Sequence, residues 1–198
     1  MPGAPLRIGR NGHILAASFG IPQFFFNFNF VYAAEHYITS GLVAMVFAML
    51  LLPNSALAWL FLKQRVTGRF VAGSAVALVG IALLFVQEMR TSTAEPGAVL
   101  IGIGLTVLGV LSASVANIMQ ASQPLKRRPI ASMLAWGMVY GVIANAVFAW
   151  VVYGPPVFEA RLGYWAGVAY LGLAASALAF TFYFAIIRAI GPGKAAYS

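Results

Sequence analysis

The chain has 198 residues, 62% of them hydrophobic and 8% charged, with a mean hydropathy of +0.89 and a net charge of +8. Soluble domains carry about 25% charged residues, so this chain cannot cover a water-facing surface and reads as an integral membrane protein. Four Glu, no Asp and no Cys exclude disulfide frameworks and metal sites rich in carboxylate or thiolate, so no cofactor is expected. The excess basic charge lacks a soluble face on which to bind nucleic acid.

The opening MPGAPLRIGRNG is basic, but no small-residue cleavage site follows the next apolar run, so it does not read as a signal peptide. A first span is expected over about 13–37, containing FFFNFNFVYAAEH (24–36). Its FNFNF alternation suggests a strand. A lone strand in lipid, however, leaves each backbone group unpaired at a cost of several kcal/mol, so the segment is read as a helix. At about 100° per residue, Ser18, Pro22, Phe25, Asn29, Tyr32 and His36 then share one face. Gln23 and Asn27 share another. Pro22, close to Gly20, is expected to kink this helix.

The second span, about 40–62, carries Pro53 at its middle in MLLLPNSALAW. Proline removes one helix hydrogen bond and should free the Met49 carbonyl beside Asn54 and Ser55. Further spans are expected at about 70–87, 97–119, 130–153 and 164–187. Asn117 and Gln120 lie near the end of the fourth and suit either a pore or an interface. On the fifth, Trp136 and Tyr140 share a face with Asn145 further round, while Trp150 and Tyr153 suit an interfacial aromatic belt. The sixth opens with Gly163, Gly167, Gly172 and Ser176, a small-residue spacing that lets helices approach closely. It also carries Thr181 and Tyr183. The expected fold is therefore all-α, a polytopic bundle of about six transmembrane helices.

Charge sets its direction. With the N-terminus cytoplasmic, the inner side holds ten basic residues, Arg7, Arg10, Lys63, Arg65, Arg69, Lys126, Arg127, Arg128, Arg188 and Lys194. The outer side holds Arg90 and Arg161 together with all four glutamates, Glu35, Glu88, Glu95 and Glu159. This is a positive-inside distribution, which suits an inner or plasma membrane with lipid contacts at the KRR triplet, 126–128.

Shifting the chain by 154 residues lays TFYFAIIRAIGPGKAA (181–196) on NFNFVYAAEHYITSGL (27–42), with opposite directions through the membrane. Inverted repeats of this kind are a transporter design with the site at the repeat interface. The stretches YITSGLVAMVFAMLLLPNSALAWLFLKQRVT, GSAVALVGIALLF and AFTFYFAIIRAIGPGKAAYS resemble the EamA group of the drug/metabolite transporter superfamily. The resemblance implies ten helices in two inverted five-helix repeats, of which the six spans are similar to the third to the eighth. Residues 1–90 would then be the C-terminal part of the first repeat and 97–198 the N-terminal part of the second. It further implies a fragment or truncated form whose partners include the missing flanking helices. Gln64 stands where the family commonly has an acidic residue.

The expected function is transport of a small metabolite or drug by alternating access, with no enzymatic chemistry. No G-x-x-x-x-G-K-[ST] pattern for ATP occurs, so coupling would come from an ion or proton gradient. Substrate-path candidates are Asn29, Tyr32, Pro53, Asn54, Trp136, Tyr140 and Tyr183, the last being the repeat mate of Asn29. His36 and Glu35 are the candidates for a coupling proton, since histidine titrates near neutral pH. Partners are a small-molecule substrate, membrane lipid and a second copy in a homodimer. The rival readings are a structural or assembly membrane protein and an intramembrane serine protease. The protease needs a serine beside a histidine base, whereas His13 and His36 both lie at the edges of the first span.

Overall fold

The computed structural model describes residues 6–65, 67–91 and 95–196. Met1–Pro5, Val66, Ser92–Ala94 and the closing Tyr197–Ser198 of the repeat motif lie outside them. Among the described residues there is no strand, and six helices are long and apolar enough to cross a membrane. These are Gly9–Ala34, Ser40–Leu62, Gly68–Gln87, Gly97–Ala121, Ile130–Tyr153 and Leu162–Ile190, here the first to sixth spans. FNFNF is accordingly helical. With 1.5 Å of rise per residue, even the shortest span covers a hydrocarbon core of about 30 Å.

The ends of the spans follow local chemistry. The Thr39 hydroxyl accepts from the Leu42 amide at 3.4 Å and caps the second span. Lys63, in the left-handed region at φ 54°, ends that span. Gly154 and Gly191, with φ of 85° and 89°, end the fifth and sixth, where a side chain would be strained. Beyond Gly191 the chain turns through a short helix, Pro192–Ala195.

Both prolines alter their helices as their missing N–H requires, though differently. Around Pro22 the first span widens into a π-helical stretch, Pro22–Phe26, and stays continuous. Before Pro53 the second span breaks into Ser40–Ala48 and Leu51–Leu62. The Met49 carbonyl is not left free there, because the Leu52 amide takes it at 2.8 Å in a tighter turn. A carbonyl bared toward a substrate is thus replaced by a local 3₁₀-like bond.

The fourth span is the hub, packed against the first, second and sixth. The first and fifth spans run side by side in the same direction. A Cβ on Gly20 would run into the Gly137 backbone, and one on Gly141 into Phe24. Gly137 and Gly141 form the small-residue seam, at the four-residue spacing that permits close approach. The glycines expected to do this, Gly163, Gly167 and Gly172, face open space. Phe19, Phe184, Met133 and Ile187 fill the core between the first, fifth and sixth spans. The third span has no buried residue in its apolar window and lies at the periphery.

The alternation of spans gathers the ten basic residues at one end of the bundle, and Glu35, Glu95 and Glu159 at the other. At that acidic end an exposed Arg161 pairs with a partly exposed Glu159 at 3.0 Å. The Arg161 side chain, and then its amide, hold the Glu159 carboxyl below its ordinary pKa.

Candidate functional site

Polar side chains that sequence reasoning placed on one path fall into separate groups. Asn29 donates to the Asn145 Oδ1 at 2.7 Å and to the Phe25 carbonyl at 2.8 Å. Asn145 in turn donates to the carbonyls of Phe24 and Gly141 at 2.8 and 2.9 Å. Two of these three accepting carbonyls, those of Phe24 and Phe25, belong to the π-helical stretch, where the i→i+4 ladder is interrupted. The asparagine pair therefore repairs the widened turn and joins the first span to the fifth.

At the basic end of the same seam, the Trp136 indole donates to the Leu6 carbonyl at 2.9 Å. Tyr140 meets His13 Nδ1 at 2.9 Å, and the His13 and Trp136 rings meet edge to face with centroids 4.4 Å apart. Tyr32 is 63% exposed and stacks on Phe28. Glu35 and His36 are exposed at the acidic end. Asn29, Tyr32, Tyr140 and Tyr183 thus do not converge on one cavity.

Asn54 and Tyr183 do come together, around Asn117, a residue expected from the sequence to suit either a pore or an interface. Asn117 on the fourth span donates to Asn54 Oδ1 at 3.3 Å and to the Tyr183 hydroxyl at 3.2 Å. Asn54 passes the chain on, donating to the Pro192 carbonyl at 3.2 Å. Second, fourth and sixth spans and the Pro192 turn meet at this node, where Asn54 and Asn117 are fully buried. Pro53 itself faces the other way, lining an apolar cavity of about 370 Å³ between the second, third and fourth spans. A smaller cavity of about 200 Å³ opens beside the node toward the basic end, lined in part by Ser55, Gln64, Arg65 and Lys194.

One turn further along the fourth span lies Gln120. Its Oε1 accepts from Arg188 Nε at 3.1 Å and from a terminal guanidinium nitrogen at 2.8 Å. The other terminal nitrogen donates to the Arg128 carbonyl at 2.7 Å. Among the described residues, Arg188 thus sits half-buried on neutral acceptors alone.

Together these residues define a stripe. Thr106, Ser114, Asn117 and Gln120 fall within about 120° of one another at 100° per residue, and all four are buried. Thr106 is satisfied by the Gly102 carbonyl at 2.8 Å. Among the described residues, Ser114 Oγ, Asn117 Oδ1 and Gln120 Nε2 are buried with no protein partner, as are Gln23 Oε1 and Asn27 Oδ1 on the adjoining first span and, away from this stripe, the hydroxyls of Ser74 and Ser132. The two spans run antiparallel, with Gly109 against Asn27 and Val31 and Gly102 against Ile38, which puts Gln23 level with Ser114. Unpartnered buried polar atoms are costly in a membrane interior unless something hydrogen-bonds them. The signal was present in the sequence as i, i+3, i+6 spacing of Ser114, Asn117 and Gln120, but most of this helix is apolar and its polar face is narrow.

The comparison with known proteins bears on the first half of the chain. Residues 3–86 match the model of the EamA-like transporter family. Over that segment the chain is EamA-like, consistent with an EamA-type drug/metabolite transporter. No curated protein and no solved structure matches the chain.

Proposed function

We infer that this EamA-like membrane protein moves small polar metabolites or drugs along the buried face of its fourth span, by alternating access and without ATP. The observation that carries the reading is the file of unpartnered polar atoms from Gln23 and Asn27 through Ser114 to Asn117 and Gln120. A bundle that needed only cohesion would gain nothing from donors and acceptors left without partners. Alternating access is supported by the repeat. The π-helical stretch Pro22–Phe26, shifted by 154, falls on 176–180 and overlaps the π-helical Leu171–Leu178 of the oppositely directed sixth span. A widened turn in each mate offers a place where either half can flex.

The charge distribution favours the basic end as cytoplasmic, in an inner or plasma membrane. Flanking helices and a second copy are the partners that this arrangement would accommodate. The test is solute flux into liposomes containing the chain. With a panel of small metabolites and drugs, Asn117→Leu and Tyr183→Phe should reduce flux of a transported compound that the parent moves. Equal flux in parent and both variants would remove the node from the path. The structural or assembly reading draws on the Asn29–Asn145 pair, whose side-chain donors all serve to hold the first span to the fifth or to cap carbonyls within them. It would gain if no compound crossed in the parent.

A further inference from the structure

Among the described residues, the basic end of the file carries a charge without an opposite. Arg188 is half-buried, and its guanidinium rests on the Gln120 amide oxygen and the Arg128 carbonyl. Glu35, Glu95 and Glu159 lie at the other end of the bundle, and Lys126, Arg127 and Arg128 surround this one with like charge. A partly desolvated cation held only by neutral dipoles is poorly compensated. Gln120 adds direction. A guanidinium only donates, so the amide must turn its oxygen toward Arg188 and its Nε2 donors away. That Nε2 is buried and has no protein partner. Cation and unused donor are therefore coupled through one side chain, at the mouth of the polar file.

We propose that Arg188 and Gln120 form an oxyanion-recognition site, taking the carboxylate or phosphate group of a solute or lipid headgroup. Arg188 supplies the charge and the terminal N–H donors that Gln120 and Arg128 leave unused, and Gln120 Nε2 supplies a neutral hydrogen bond. The field of the basic end raises the local concentration of anions. The path accordingly prefers anionic solutes over cationic ones. This selectivity rests on the transport reading, whereas binding at the site does not.

The discriminating variant is Gln120→Glu. It keeps an oxygen for Arg188, removes the Nε2 donors and builds a carboxylate into the place the ligand would take, so it strengthens the internal contact. The full chain in phosphatidylcholine nanodiscs would be titrated with sodium benzoate, inorganic phosphate and tetramethylammonium chloride at matched ionic strength, following its Tm. The parent should be stabilised by benzoate or phosphate and not by tetramethylammonium. Gln120→Glu should weaken the anion response at least about ten-fold, equivalent to 1.4 kcal/mol, without lowering the ligand-free Tm. Lys126→Gln with Arg127→Gln should leave the response within about two-fold. An anion response that survives Gln120→Glu, or that vanishes only in the Lys126/Arg127 variant, overturns the site in favour of surface charge. No anion response in the parent overturns it as well. Phosphatidylglycerol discs that suppress the benzoate response in the parent would support a lipid headgroup as the oxyanion. A response unchanged by that lipid would support a dissolved one. Flux in Asn117→Leu reports separately on transport, so anion binding lost in Gln120→Glu with flux unaltered in Asn117→Leu keeps the site and sinks the path.

Discussion

The seam between the first and fifth spans and the buried face of the fourth span are both rich in asparagine and glutamine neighbours, yet they are built to opposite ends. In the seam the Asn29 and Asn145 amides meet each other or a backbone carbonyl, and glycines at 20, 137 and 141 bring backbone against side chain. Along the fourth span, three buried polar residues keep an atom in reserve. On the function proposed above, polar residues in lipid are of two kinds, fasteners and hosts, and residue type alone does not separate them. What separates them is whether a fully buried donor or acceptor is left without a partner, as along the fourth span, or the side-chain donors are all used, as in the seam.

The comparison breaks most visibly at the seam's glycines. Gly20→Val pushes a side chain into the Gly137 backbone and should cost about 3 kcal/mol, at the upper end for overpacking, read as loss of folded protein in detergent denaturation. The same substitution at Gly167, which faces open space, should change stability little. Asn117→Leu should lower flux at least about ten-fold, or 1.4 kcal/mol in the barrier. Its stability should change by about 1 kcal/mol, because membrane hydrogen bonds average about 0.6 kcal/mol.

Asn29→Leu and Asn145→Leu invert that pattern. Each should lower stability by about 0.6–1.7 kcal/mol with flux per folded molecule unchanged, and a double-mutant cycle should show the two losses to be coupled. Flux falling with Asn29→Leu at constant stability would erase the distinction between fastener and host. The smallest effect is expected at Tyr32, exposed and outside both regions. Tyr32→Ala should stay within about 0.5 kcal/mol of the parent in the same denaturation assay.

The fold was largely legible because hydropathy and charge act over whole segments. Six runs of apolar residues have no other stable arrangement in lipid, and the boundaries return within a few residues, as with 40–62 and 130–153. The site was legible only in part. Helical periodicity put Asn29 and Tyr32 on one face, yet Asn29 bonds across to the fifth span while Tyr32 is exposed, because a face does not say what lies opposite. Asn145 is 116 positions away in the chain, and nothing local marks it as the partner of Asn29. Pro53 was expected to free the Met49 carbonyl, whereas the helix breaks before it and the fate of that carbonyl depends on a one-residue choice of hydrogen bond. The G-x-x-x-G at Gly163 and Gly167 carried no information about which helix, if any, lay beside it, whereas the same spacing at Gly137 and Gly141 does the packing. Arg188 read as one more inward basic residue, since lateral packing against Gln120 is invisible without the fourth span in place.

The absence of cysteine from the chain allows single thiols to be placed without background. Ser114→Cys would sit on the polar face of the fourth span and Ala16→Cys in the seam, both positions fully buried in this conformation. With a small hydrophilic thiol reagent on intact membranes, Ser114→Cys should react at least about ten-fold faster than Ala16→Cys, because alternating access periodically wets the file. Equal and negligible reaction at both positions would contradict a hydrated passage along the fourth span.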